Sequence, residues 1–281
     1  MWTSKIKYVF LLPAVISLIV VIVIPGFMTL VDSLTPTKGG SGLFYNYRML
    51  VQDQTFLTVF KNTLLFVVGT VAGHLALGLL VALALNSAVK GKSVLRVLMI
   101  LPWTIPDVIT GIIWAYIYHP MSGFLNAVLL KFGVIGTNVA WLGDPNLALP
   151  SVIMADIWRG YPYVMLVLLA GLQAIPKELY EAARVDGASI FREFTSITIP
   201  NLRRVGFIAI ALDTIWQFRR YGLIMSMTAG GPGRATEIIS TWVYKTYFQY
   251  FKPNYAAAMA IIAALALIIF AIPYVREVAR D

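Results

Sequence analysis

The sequence predicts an all-α membrane protein with six transmembrane helices, and three observations carry that prediction. The chain of 281 residues is 59% hydrophobic and 12% charged, with a mean hydropathy of +0.79, a balance that excludes a cytosolic globular protein. Its apolar residues gather into six stretches of roughly 20 to 28 residues, each sufficient to cross a hydrocarbon core of about 30 Å. Its cations, which give a formal charge of +9, collect in the short connections rather than in a basic tail, as expected for Lys and Arg retained on the cytoplasmic face rather than for nucleic-acid binding.

The first span covers about 8–31 and carries no formal charge. Lys5 and Lys7 precede it in the manner of a secretory signal, but the apolar stretch exceeds the usual length of about 7 to 15 residues and no small-residue cleavage site ends it. Pro13 and Pro25 are expected to bend or locally open this helix. A Gly, Pro, Ser and Thr cluster, TPTKGGSG, reads as loop, followed by an aromatic patch at Tyr45, Tyr47 and Phe56. The second span, about 62–89, holds His74 and a Gly69–Gly73 pair at the spacing that lets helices approach closely. The third, about 94–118, contains LPWTIPD, in which Pro102 and Pro106 interrupt helical hydrogen bonding beside Asp107. A loop-like connection leads to the fourth span, about 148–174, which carries Asp156 and Arg159. The fifth, about 205–224, includes Asp213, with Arg219 and Arg220 read as markers of the external interface. The sixth, about 255–275, is free of charge, and all six are assigned to one membrane domain, 1–281.

Sidedness follows from the short loops. Lys90, Lys92 and Arg96 crowd the second connection, whereas the long third one contains only Lys131. Lys5 and Lys7, Arg203 and Arg204, and Arg276 and Arg280 share the parity of the second connection, so both termini are expected in the cytoplasm. That places 175–204, too polar to span, on the cytoplasmic side as well. Within it, PKELYEAARVDGASIFREF reads as a short amphipathic helix pair: Leu179, Ala182, Ala183 and Val185 make a partial apolar face, Glu178 and Glu181 lie near the positive end, and Gly187 closes the first helix. Read from the residues alone, the pair either lies at the cytoplasmic surface or is a cap over its own bundle.

EAARVDG at 181–187, nine intervening residues and ITIP at 197–200 resemble the EAA signature of permease subunits in binding-protein-dependent ABC importers. Ile199 stands where leucine is more usual. LAGLQAIPKELYEAA at 169–183 and GGPGRAT at 230–236 narrow the resemblance to the carbohydrate-uptake group of maltose-type and glycerol-phosphate-type permeases. The resemblance implies the type I importer permease fold, with a cytoplasmic coupling helix that docks on an ATPase. In that role Glu181 makes polar contacts, Ala182 and Ala183 permit close approach, Asp186 belongs to the same coupling motif, and Gly187 allows the turn. The implied partners are a second homologous permease subunit, two ATPase subunits, an extracytoplasmic solute-binding protein and membrane lipid, in a bacterial or archaeal cytoplasmic membrane. This chain has no GxxxxGK[ST] phosphate loop, so ATP and Mg2+ belong to the partner ATPases; the chain is expected to bind no cofactor or metal and to catalyse no covalent step. It has no cysteine, and its two histidines, His74 and His119, lie far apart.

The intramembrane polar residues Asp107, Asp156, Arg159 and Asp213 are candidates for the translocation path, because a charge there needs water, a partner or neutralisation. Asp156 and Arg159, three apart on one helix face, are read either as a structural pair or as pathway lining. His74 is read as a packed, hydrogen-bonded helix residue. Trp158 and Trp216, with Trp103, Trp114, Tyr116, Tyr161 and Tyr163, offer either ring faces for sugar stacking or interfacial anchoring. By the resemblance, Gly230, Gly231, Pro232 and Gly233 are expected to form an external turn and docking surface, with direct solute contact as the alternative. The expected function is carriage of a sugar or oligosaccharide from the binding protein to the cytoplasm. Glycerol-phosphate or polyol uptake by the same mechanism is the near alternative, and an ion-coupled secondary carrier using the buried carboxylates is the distant one.

Overall fold

The computed structural model describes residues 2–87 and 91–278, and for 2–9 and 273–278 the backbone only. Lys90 and Arg280, used above for sidedness, lie outside the described residues, as do the last positions of the predicted second span and the side chains of Lys5, Lys7 and Arg276. Among the described residues there are helices and no strand. In chain order they are α1 (Trp2–Leu18), α2 (Ile24–Leu34), α3 (Tyr45–Gln52), α4 (Gln54–Asn86), α5 (Lys92–Thr104), α6 (Asp107–Ile117), α7 (Phe124–Lys131), α8 (Pro145–Ala174), α9 (Lys177–Val185), α10 (Ile190–Glu193), α11 (Ile199–Phe218), α12 (Gly222–Met227), α13 (Ile239–Tyr244) and α14 (Pro253–Val278). Among the described residues four helical runs, Phe10–Leu34, Gln54–Asn86, Pro145–Ala174 and Pro253–Ile272, are long and apolar enough to cross a membrane. The pair α5 and α6, bent by 96°, passes the same test of length and apolarity only when its two helices are taken together.

The chain divides into two compact units. The first joins Met1–Thr58 to Trp242–Ala266. Pro25 opens its first span as expected: a π turn at Ile19–Val23 precedes α2 and absorbs the missing proline N–H. Side chains from Phe10 to Met28 are all exposed. The loop after α2 is held by Asn46 of α3, whose amide donates to Ser33 O (3.0 Å) and Thr35 O (2.7 Å) and accepts from the Thr37 amide (3.2 Å) and hydroxyl (2.7 Å). A buried amide with donors and acceptor all satisfied fixes a loop that Gly and Ser would otherwise leave free. The helical turns of α3 and the early start of α4 at Gln54 take up residues expected as loop.

The second unit joins Val59–Thr241 to Leu267–Asp281. Its core is built by α4, α8 and α11: Ala82 and Leu85 meet Tyr161, Val164, Met165, Leu168, Leu169 and Leu172, with Leu202 closing one side. Lipid tails are as apolar as leucine, so close van der Waals contact and polar bonds hold such helices together, not exclusion of water. Gly73 provides the contact point: a Cβ there would lie 2.2 Å from Ile157 Cδ1 of α8. Asp144 caps α8, accepting from the Asn146 amide at 2.7 Å.

Two predicted boundaries shift, each for a local reason. The third span is not one rod, because Ile105 and Pro106 leave helical geometry (Ile105 ψ 130°, Pro106 ψ 145°) and α6 restarts at Asp107 in a new direction. The fifth helix runs earlier, over α11, and stops at Phe218 rather than near Ile224. Arg219 and Tyr221 depart from helical dihedrals, and the turn delivers Arg220 inward before α12 begins.

Candidate functional site

The helix break at Ile105–Pro106 and the end of α11 build one polar site inside the second unit. The break leaves the Ile105 carbonyl without a helical donor, and Arg159 Nε of α8 supplies one at 3.2 Å. The same guanidinium places Nη2 2.6 Å from Asp107 Oδ1. Asp107 sits in the first turn of α6, where the helix dipole also favours a carboxylate. Arg220 reaches Asp107 from the other side, with Nη1 2.9 and 3.1 Å from its two oxygens. Asp107 is therefore clamped between two guanidiniums.

On α11 the residues Asp213 and Gln217 follow at i and i+4 and share a face, and the turn after Phe218 brings Arg220 to the same side. Gln217 Nε2 donates to Asp213 Oδ1 (2.8 Å), and Gln217 Oε1 accepts from Arg220 Nε (3.1 Å). Arg220 Nε also lies 3.1 Å from Asp156 Oδ1, but its hydrogen is directed to Gln217, so Asp156 has an ion pair there without a hydrogen bond. His74 closes the group from α4, with Nδ1 2.8 Å from Asp213 Oδ2 and Nε2 2.9 Å from the Asp156 carbonyl oxygen. His74 and Asp156 are wholly buried, Asp213 and Gln217 nearly so. Among the described residues no grouping of His, Asp and Glu has the arrangement of a metal site.

A cavity of about 470 Å³ opens on this cluster, within the range of about 300–1,000 Å³ typical of small-molecule sites. Asp107, Arg159, Asp213, Gln217 and Arg220 form its polar wall. Trp103, Tyr163 and Trp216 form an aromatic wall, Tyr163 standing edge-on to Trp216 at 4.6 Å and tilted against Trp103 at 6.1 Å. Both tryptophans are 39% exposed, so their faces remain available to a ligand.

Of the residues proposed from sequence for the path, Asp107, Arg159, Asp213 and Trp216 line the cavity together. Asp156 stands behind the wall, and Trp158 instead stacks edge-on against Trp114 at 5.7 Å. Asp156 and Arg159 do not form the expected i, i+3 pair: Asp156 points to His74 and Arg220, while Arg159 turns to the broken helix and Asp107. Arg220 is not an interfacial marker, since it is 8% exposed and carries the ion pairs. The i, i+4 pair Asp213 and Gln217 is visible in the sequence, but nothing in it ends the helix at Phe218 so as to turn Arg220 inward, or aims His74 at Asp213.

The amphipathic segment forms α9 and α10, and α9 buries no residue. Its C-terminus is a Schellman turn: the Ala188 amide donates to Ala183 O (2.8 Å) and the Gly187 amide to Arg184 O (3.1 Å), with Gly187 at φ +78°. Glu181, Ala182 and Asp186 are exposed and Ala183 is half-buried. Arg184 reaches across to Glu193 of α10 with two bonds, 2.9 and 3.3 Å, and this partner, with Glu181 adding to it, holds the exposed guanidinium above its ordinary range. Tyr180 OH meets Thr198 Oγ1 at 2.9 Å. Val185, Ile190 and Phe191 are 88%, 85% and 75% exposed, an apolar set with no cover from this chain.

Gly230 to Gly233 form a tight turn held from within, Thr236 Oγ1 meeting Thr228 Oγ1 at 2.7 Å and Gly231 O at 2.8 Å. Asn62 Nδ2 of α4 donates to Arg234 O at 3.0 Å, and the Ile239 amide to Thr63 Oγ1 at 2.9 Å, which secures the turn to the helix. Gly230 is buried, and Gly233 is exposed at its tip.

The chain is 36% identical over 279 residues to the trehalose/maltose transport system permease protein MalF of Thermococcus litoralis, covering 97% of this chain and 93% of that one. It is 34% identical over 226 residues to the sn-glycerol-3-phosphate transport system permease protein UgpA of Agrobacterium fabrum, covering 79% and 75%. The fold superposes on a chain from the crystal structure of a bacterial alginate ABC transporter in complex with an alginate pentasaccharide-bound periplasmic protein, with a TM-score of 0.85 at 23% identity over 97% of this chain and 93% of that one. Residues 74–276 match the family described as binding-protein-dependent transport system inner membrane component, and the chain belongs to that family of ABC transporter permeases.

Proposed function

We propose that this permease carries an uncharged sugar or short oligosaccharide through the cavity between its aromatic and polar walls. The carrying observation is the charge balance of that cavity. Both guanidiniums that line it, Arg159 and Arg220, are already engaged by Asp107, so an anionic solute would have to displace a carboxylate to bind them. Hydroxyl groups need no such displacement, because carboxylate, amide and guanidinium edges offer acceptors and donors and the tryptophan faces offer stacking. The relative that carries trehalose and maltose in its name supports this cargo, while the sn-glycerol-3-phosphate relative marks the anionic alternative that the clamped arginines disfavour.

The same reading places 175–204 on the cytoplasmic side with both termini, and makes six crossings of the helical runs, α11 included. Exposed Val185, Ile190 and Phe191 beside Glu181 and Asp186 fit a cleft on an ATPase partner. Two such ATPases, using ATP and Mg2+, and a second permease would complete the assembly, with the Gly230–Gly233 turn facing a solute-binding protein. ATP-driven closure of the ATPases would move α9 and, through the Arg184–Glu193 and Tyr180–Thr198 braces, the start of α11, giving alternating access to the cavity.

The test is uptake into proteoliposomes holding the complex purified through this chain together with its binding protein. Radiolabelled maltose, trehalose and glycerol 3-phosphate are offered with and without ATP on the ATPase side. ATP-dependent accumulation of a neutral sugar and exclusion of the phosphate is the expected result. Preference for the phosphate would overturn the cargo, and uptake driven by an ion gradient without ATP would overturn the mechanism.

A further inference from the structure

We propose that His74 and Asp213 form a resident proton site, in which His74 is an imidazolium that donates from both ring nitrogens and holds the polar wall of the cavity in place. The geometry requires, besides the proton on Nε2, a second proton between Nδ1 and the Asp213 carboxyl. Nδ1 faces a carboxylate oxygen, Asp213 Oδ2, at 2.8 Å, and Nε2 faces a main-chain carbonyl oxygen, that of Asp156, at 2.9 Å. A carbonyl oxygen only accepts, and so does an ionised carboxylate. A neutral imidazole has one N–H and would point a lone pair at an oxygen on its other side. Imidazole is the stronger base of the two, which puts that proton on the ring, and Asp213 keeps its other oxygen as the acceptor for Gln217 Nε2 at 2.8 Å.

The charges around the ring independently call for one added proton at this pair. α4 itself brings no other charged residue between Asn62 and Asn86. Facing it are Asp156 and Arg159 from α8 and Asp213 from α11, with Arg220 beyond the end of α11 and Asp107 from α6. Three carboxylates against two guanidiniums leave one uncompensated negative charge in a buried site, and the imidazolium cancels it. Such a charge is costly in a membrane interior unless it is matched. The ring is also built in: a Cβ at Gly160 would come 2.2 Å from His74 Nε2, so the absence of a side chain at that position makes the space the imidazole fills.

His74 does not touch the cavity, so it acts as a positioning residue. Its proton fixes Asp213, Asp213 fixes Gln217, Gln217 accepts from Arg220, and Arg220 with Arg159 clamps Asp107. The site stands on this geometry and not on the identity of the cargo.

The experiment uses the assembled transporter purified through this chain, with ¹⁵N-labelled histidine, at neutral pH. Subtracting the spectrum of the His74→Gln/Asp213→Asn complex isolates the His74 ring. Two protonated ring nitrogens are expected; a ring with a single N–H overturns the assignment. Thermal midpoints of the same complexes supply the second readout. His74→Gln and Asp213→Asn each unbalance the cluster by one charge and are expected to lower the midpoint, whereas the double variant restores neutrality and is expected to regain at least about half of the loss, a coupling of neighbouring sites that independent contacts do not show. A double variant no more stable than the weaker single, or one that does not assemble, overturns the proposal.

Discussion

Replacing Arg220 by methionine tests whether the ion cluster is what holds the cavity wall. Arg220 is 8% exposed and contacts Asp107 at 2.9 and 3.1 Å and Asp156 at 3.1 Å. At an effective dielectric of about 20, one such pair at this separation is worth about 5 kcal/mol before desolvation. The variant strands Asp156, which is wholly buried and accepts no hydrogen bond, so the net loss falls in the range of about 3–5 kcal/mol for removing one partner of a buried pair. Arg159→Met should cost far less, about 1 kcal/mol, because its side chain is 15% exposed and Asp107 keeps Arg220. Asp156→Asn placed on Arg220→Met should recover a large part of the loss, since it removes the stranded charge. Thermal unfolding of the purified complex in detergent, with assembly checked by size exclusion, reads all three. Equal costs for the two arginines, or no recovery from Asp156→Asn, would refute the reasoning.

Three further outcomes follow from other parts of the chain. Gly187→Leu forces a branched side chain into φ +78°, costing about 1–2 kcal/mol, and should lower transport coupled to ATP hydrolysis roughly five- to thirtyfold without altering membrane insertion; unchanged coupling would remove Gly187 from the lever. Glu181→Lys reverses an exposed charge on α9 and should weaken ATPase co-purification on the order of tenfold, measured by the yield of ATPase per permease; normal yield and normal transport would show that the joint lies elsewhere. Trp216→Ala removes one aromatic face of the cavity, about 0.5–1.5 kcal/mol, and should raise the half-saturating sugar concentration about two- to tenfold at unchanged maximal rate, a pattern that a change in maximal rate alone would contradict.

Much of this architecture was legible in the sequence because it depends on properties each segment carries alone. Apolar length marks Pro145–Ala174 and Pro253–Ile272 as crossings, the prolines of LPWTIPD mark the break, and Gly187 marks the end of α9. Four of the proposed path residues do line one cavity, since a charge in an apolar span must seek water or a partner. What the pattern does not carry is which partner. The i, i+3 rule sees only neighbours on one helix, so it joins Asp156 to Arg159, whereas the 96° bend brings Asp107 to Arg159 and the turn after Phe218 brings Arg220 to Asp156. The short helices α3 and α7 escaped because eight-residue segments of mixed polarity carry too few periods to stand out from loop.

The ion cluster also has a consequence for biogenesis. The rod from Phe10 to Leu34 has no buried window, and nothing in its apolar stretch needs a partner, so it can enter lipid alone as it emerges. Helices α6, α8 and α11 cannot do so on the same terms, because each brings Asp107, Asp156 with Arg159, or Asp213, and a charge in an apolar span costs up to about 2.5–3.5 kcal/mol in the insertion machinery, most when it is central. Their charges cancel only with one another, with Arg220 just past α11, and with His74, which α4 delivers first. The order of synthesis thus leaves an early helix carrying an unmatched histidine until the chain has grown to Asp213, and a translocon that retains α4, α6 and α8 until α11 arrives would spare the bilayer every one of those charges.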